Sequence, residues 1–212
     1  MVILGRNPDR VRVAVEAIRR QAVGANVTSI SLDLADLESV TSAAAALTRL
    51  DRLDALIQNA GVAAARHERR TTRQGFELAM GTNHLGHFAL TALAMPILSA
   101  TPGSRVVPIG SILTKVMRFN LDDLQSKRSY KPWKAYAQSK HAVQMFGFEL
   151  DRRLRAADAD SHSIAAHPGG CVGTPVVVRP PQVSKDPQLA ARLWALSEEL
   201  TGVDFLVPAG QA

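Results

Sequence analysis

The sequence predicts an α/β domain with a doubly wound parallel sheet. Short apolar runs alternate along the chain with amphipathic helical patterns, as successive βαβ units require. Of its 212 residues, 46% are hydrophobic and 21% charged, a composition able to bury a sizeable core. Neither an internal repeat nor a composition shift divides the chain, so residues 1–212 are expected to form a single domain.

The elements follow in order. Residues 2–4 form a strand end, and Asn7-Pro8 then opens a helix with Asn as cap and Pro in the first turn. Val11, Val15, Ile18 and Ala22 give that helix one apolar face, and Gly24 stands as its terminator. Residues 26–34 are the next strand, and Asp36 caps a helix running to about Arg49. A third strand over 53–58 ends in Asn59-Ala60-Gly61. The pattern then predicts a long helix over 75–99, a buried strand over 105–109 and a long loop over 112–130. A second long helix over 132–157, a strand over 163–166 and a last helix over 187–200 complete the chain.

Composition also excludes several classes. One cysteine, Cys171, rules out an internal disulfide framework and a multi-cysteine zinc site, and a reducing, cytoplasmic setting is expected. The net charge is +6, yet the cations are scattered. The densest group (Arg66, Arg69, Arg70, Arg73) falls in a loop without interleaved aromatics, which argues against nucleic acid. Residues 78–104 carry no Asp, Glu, Lys or Arg, but they include Asn83, His84, His87, Pro96 and Pro102. That stretch is expected to be a buried helix and not a membrane span. Met1-Val-Ile-Leu-Gly-Arg lacks the pattern of a signal peptide.

Tyr136 and Lys140, at i and i+4 on the second long helix, share one face. An ammonium about 4 Å from a phenol, at an effective dielectric near 20, contributes about 4 kcal/mol toward the ionised form. Such a tyrosine can exchange a proton with a substrate oxygen. The alternative is an exposed helix face. Ser111 follows the strand over 105–109, at the end where ligands of such sheets bind, and its hydroxyl can bond an oxyanion. Alone it is a serine finishing a strand. Asn83 is a poor helix former inside a helix and its amide needs partners, as a kink or a water-holding role would supply; seen alone it is a satisfied core asparagine. No G-x-S-x-G surrounds any serine, which argues against a serine hydrolase.

Taken together, these residues resemble the short-chain dehydrogenase/reductase family, in the branch similar to retinol dehydrogenases. The resemblance rests on Gln58-Asn59-Ala60-Gly61, Asn83-His84-Leu85-Gly86-His87-Phe88, Ser111, Tyr136-Ala-Gln-Ser-Lys140 and His167-Pro168-Gly169. Asp33-Leu34 and Leu193-Trp-Ala-Leu-Ser-Glu-Glu-Leu-Thr-Gly202 fit as well, and Ser111 precedes Tyr136 by 25 residues, as in this branch.

The resemblance implies a Rossmann-like fold and a hydride transfer between a nicotinamide cofactor and a small carbonyl or alcohol substrate. It implies that Tyr136 is the general acid/base and that Lys140 supports it and holds the nicotinamide ribose. Ser111 would orient the carbonyl, and Asn83 would hold a water linked to Lys140. Asp33, Asn59 and Gly61 would border the adenine side, while Pro168, Gly169 and Thr174 would border the nicotinamide. Arg6, in Gly5-Arg6-Asn7 with no acid before Asp9, favours NADP over NAD, because an arginine accommodates the 2′-phosphate. Homo-oligomerisation through the two long helices is implied by the resemblance alone, and no metal is expected.

Two departures stand out. The family opens with a strand and a glycine-rich phosphate-binding turn, whereas this chain begins on what should be the second strand and contains no G-x-x-x-G-x-G. The domain is therefore expected to be incomplete. The segment after His167 is also short, with Thr174 one residue late. The alternative is a catalytically inactive, truncated member that acts as a binding or interaction module.

Overall fold

The computed structural model describes residues 1–63, 68–167, 176–177 and 179–209. Strand β1 (Val2–Gly5) leads into helix α1 (Pro8–Gln21), where the Asn7 side chain accepts from the Arg10 amide and Pro8 occupies the first turn. Strand β2 (Thr28–Ser31) pairs with β1 in parallel, Val2 opposite Thr28. Helix α2 (Leu37–Leu47) starts at Asp36, whose side chain accepts from the Glu38 amide. It returns the chain to β3 (Ala55–Gln58).

The predicted helix over 75–99 is in fact three pieces: α3 (Leu78–Met80), a π turn (Gly81–Leu85) and α4 (Gly86–Ala100). It starts late because the Glu77 carboxylate accepts from the Ala79 and Met80 amides, fixing the cap there. Strand β4 (Arg105–Pro108) follows. The predicted loop over 112–130 carries 3₁₀ turns at Ile112–Lys115 and Leu121–Asp123. Then come α5 (Pro132–Ala156), β5 (His162–Ser163) and α6 (Pro187–Thr201). Strand β5 is shorter than the expected 163–166, but its pairing with β4 continues over that stretch, with the Ile164 amide donating to Val106 O and the Ala166 amide to Pro108 O, each at 2.9 Å, and an Ile109–Ala166 bridge.

Among the described residues the parallel sheet lies in two parts, β1-β2 and β3-β4-β5. Helices cover both faces of the first part. A Cβ on Gly5 would meet Val11 of α1, while Leu4, pointing the other way, packs against the core that α2 and α4 build. Leu56, Val106 and Pro108 face α4 and α5, but Ile57 (62% exposed) and Ile164 (51%) lie open on the opposite face. No described helix covers them. The core centres on α2, α4 and α5, with Phe88, Phe146, Trp194 and Phe205 in mutual ring contact.

Candidate active site

The site residues gather beyond the C-terminal ends of the strands. Arg6 is exposed just past β1, Asp33 lies past β2, Asn59 and Gly61 past β3, and Ser111 past β4. This common edge follows from the shared strand direction, because every crossover returns the chain to the opposite end.

Helix α5 brings its side chains to the end of β4. Lys140 is 6% exposed, and its Nζ donates to the Ile109 carbonyl at 2.7 Å. Burial lowers the pKa of this ammonium from its ordinary value. The same Nζ lies 5.9 Å from the centre of the half-buried Tyr136 ring, within the range of cation–π attraction. Trp133, 62% exposed, presents its ring perpendicular to that of Tyr136 at 6.5 Å.

Asn83 occupies the π turn, a local distortion that often marks functional positions. Its Oδ1 accepts from the Val62 amide at 2.7 Å, and its Nδ2 donates to the Val62 carbonyl at 3.0 Å and to Ser139 Oγ at 2.9 Å. Both amide hydrogens are thereby used, and Oδ1 keeps one acceptor position. A Cβ on Gly61 would sit 2.9 Å from Asn83 Oδ1 and 3.8 Å from Lys140 Nζ, so glycine permits this close approach of the loop.

Ser139 was not singled out from the sequence, yet it joins the parts. It takes the bond from Asn83 and donates to the Tyr136 carbonyl at 2.7 Å. Its position between Tyr136 and Lys140 was the available signal. Ser111 caps the following 3₁₀ turn, its Oγ accepting from the Leu113 amide at 3.3 Å. That bond uses a lone pair and not the hydroxyl proton. His87 supports the loop after β3, with Nε2 2.9 Å from the Ala60 carbonyl, and burial lowers its pKa to about 4.

Asp33 Oδ1 accepts from the Ala35 amide at 2.9 Å, which holds the carboxylate at the end of β2. Arg6 forms no ion pair among the described residues. Pro168, Gly169 and Thr174 lie outside the described residues. Asn83, Ser139, Tyr136 and Lys140 are thus brought together by direct contacts, with Gly61 against them, while Arg6 and Asp33 stand at neighbouring strand ends. No described helix is long and apolar enough to cross a membrane.

Comparison with known proteins agrees with this arrangement. The family described as short chain dehydrogenase matches residues 1–179. The chain is 36% identical to human polyprenol dehydrogenase over 174 residues, covering 80% of this chain and 52% of that protein. It is 36% identical to human retinol dehydrogenase 13 over 171 residues, covering 80% and 50%. The chain therefore spans about half the length of these curated relatives. The structure of an uncharacterised protein from Mycobacterium paratuberculosis superposes with a TM-score of 0.79 at 33% identity, covering 97% of this chain and 85% of that one. A short chain dehydrogenase from Escherichia coli CFT073, solved with NADPH, shares the fold with a TM-score of 0.62 at 22% identity, covering 96% and 80%. The chain belongs to the short chain dehydrogenase family.

Proposed function

We propose that the protein is an oxidoreductase that uses NADP(H) to interconvert a carbonyl and an alcohol, with Tyr136 as the general acid/base. The observation that carries this reading is the buried Lys140 ammonium, tied to Ile109 at the end of β4 and facing the Tyr136 ring on the same helix. Burial and the bond to Ile109 hold this ammonium beside the phenol ring, where a cation can support proton transfer at a tyrosine oxygen.

The donor set fits the cofactor at both ends. Lys140 keeps ammonium hydrogens for ribose hydroxyls, and Asp33, Asn59 and Gly61 border the adenine side. The exposed Arg6 guanidinium suits a 2′-phosphate. NADPH accompanies the Escherichia coli relative in its structure, which adds support for that choice. The bound nicotinamide supplies the hydride; the chain supplies orientation and proton transfer. In reduction, Ser111 Oγ–H bonds the carbonyl oxygen and Tyr136 gives it a proton as negative charge develops. Asn83 fixes the loop bearing Gly61 and, through Ser139, the turn of α5 that carries Tyr136.

A second reading, a non-catalytic binding module, draws on the open face of β3-β4-β5, where Ile57 and Ile164 are exposed. Thermal shift decides between them. At about 100 times its dissociation constant a ligand adds about 2.7 kcal/mol, roughly 5–10 °C for a chain of this size. NADPH is expected to give that shift, NADH a smaller one, and Arg6→Ala to narrow the difference. No shift with either nucleotide on a cooperatively melting chain overturns the oxidoreductase reading.

A further inference from the structure

The segment that carries Ser111 is held against α5 at both of its ends. At the near end Lys140 Nζ donates to the Ile109 carbonyl at 2.7 Å. Gln144, one helical turn beyond Lys140, lies so close that a Cβ on Gly110 would sit 2.9 Å from its Nε2. At the far end His141 Nε2 stands 2.7 Å from the Met117 carbonyl. A carbonyl only accepts, so Nε2 carries the hydrogen and Nδ1 is the acceptor.

Between these ends the hydrogen bonds run on without a break. The Met117 amide donates to the Leu113 carbonyl at 3.1 Å, and the Leu113 amide donates to Ser111 Oγ at 3.3 Å. A path of hydrogen bonds thus leads from the imidazole to the hydroxyl oxygen of Ser111. Thr114 Oγ1 donates to the Ser111 carbonyl at 2.8 Å and closes the turn.

His141 is itself fixed in place. Its side chain is fully buried, and Ser184, also fully buried, holds its Oγ 3.4 Å from Nδ1. The same Oγ donates to Gln144 Oε1 at 3.2 Å. Ser184 belongs to a 3₁₀ turn at Gln182–Lys185, so that turn braces both His141 and Gln144 from the side away from Ser111. The Phe119 ring stands 5.8 Å from the imidazole. An apolar side chain would fill this volume with no polar group to satisfy; what the imidazole adds is the bond to Met117.

We propose that His141 is a positioning residue for Ser111: its Nε2–H fixes Met117 and, through the turn, aims the Ser111 hydroxyl at the substrate oxygen. The proposal rests on the oxidoreductase reading, in which Ser111 bonds that oxygen. Being fully buried, His141 acts through Ser111 and not on the substrate.

The test compares His141→Gln with His141→Asn, two polar variants that differ in reach. The glutamine amide nitrogen extends as far as Nε2 and can still donate to Met117, whereas the asparagine nitrogen stops near the place of Nδ1. Turnover is followed as NADPH consumption with hexanal, benzaldehyde and acetophenone. His141→Gln is expected to keep kcat within about threefold of wild type, and His141→Asn to lose at least about tenfold, part of what removing an oxyanion donor costs. The NADPH thermal shift should stay the same in both, and amide exchange at Leu113 and Met117 should quicken in His141→Asn alone. Equal kcat in the two variants overturns the proposal whatever the exchange shows. Loss of the NADPH shift alongside kcat makes the role merely structural and overturns it as well. A wild-type chain that reduces none of the three carbonyls overturns the oxidoreductase reading, and the proposal falls with it.

Discussion

Asn83 grips both polar groups of Val62, accepting from its amide at 2.7 Å and donating to its carbonyl at 3.0 Å. This clamp joins the loop after β3 to the π turn, and its remaining bond to Ser139 carries the connection to α5. One buried amide therefore sets the distance between the Gly61 loop and the helix bearing Tyr136 and Lys140.

Asn83→Ala leaves the Val62 groups and Ser139 without that partner. An unsatisfied buried group costs about 1–3 kcal/mol, and a loss of that size is expected in urea unfolding. Asn83→Asp keeps an acceptor for the Val62 amide but turns a carboxylate oxygen toward the Val62 carbonyl, so it should be no more stable than Asn83→Ala. Wild-type stability in either variant would contradict the clamp.

Lys140→Met removes a desolvated charge while retaining an unbranched side chain. Folding stability at neutral pH should change by less than about 1 kcal/mol, whereas cofactor-dependent turnover should be lost. The folded state binds fewer protons than the unfolded chain between the lowered pKa of Lys140 and its ordinary 10.5, so this group makes wild-type stability rise with pH across that window. The variant should lack that rise when urea midpoints are compared at about pH 8 and about pH 10.

Three buried histidines, His84, His87 and His141, act on the acid side, and burial lowers the pKa of each. Burial lowers the pKa of His84 to about 3 and that of His87 to about 4, against 6.5 in the unfolded chain. Below 6.5 the unfolded chain takes up protons that the folded chain refuses, so stability falls as pH falls, until each folded value is passed. Each histidine contributes up to about 1.4 kcal/mol per pH unit. Glu77, whose carboxyl burial pushes up, works in the opposite sense near the acid end. His84→Gln should remove one of the three histidine contributions to the slope between about pH 6 and about pH 4, as read from urea midpoints. An unaltered slope would contradict the assignment.

Gly86 opens α4 where a Cβ would lie 2.4 Å from the Leu34 carbonyl oxygen. That oxygen belongs to backbone and cannot turn aside, so Gly86→Ala must push α4 away from the β2–α2 connection. A loss of about 1–3 kcal/mol or more is expected in thermal or urea unfolding. A neutral effect would show that the contact yields easily.

Much of this was legible in the sequence where the cause is local. Asn7 and Asp36 mark helix starts because a side-chain oxygen there bonds an amide two or three residues on. Tyr136 and Lys140 share a face through helical spacing alone. A kink at Asn83 was legible from its poor helix propensity and polar amide, but its partner was not, because Val62 lies 21 residues away in sequence. The late start at Leu78 depended on the Glu77 cap and the Thr71–Glu77 bridge, and no periodicity encodes them. Division of the sheet was equally hidden. Strand patterns such as those of β1 and β3 report apolar alternation and not which edge finds a partner.

The most direct test compares wild type with Tyr136→Phe, following NADPH consumption with a panel of aldehydes and ketones and NADPH binding by thermal shift. The account predicts turnover by the wild-type chain, its loss in the variant, and a similar NADPH shift in both. Equal turnover by the variant would contradict the role of Tyr136 as the proton donor.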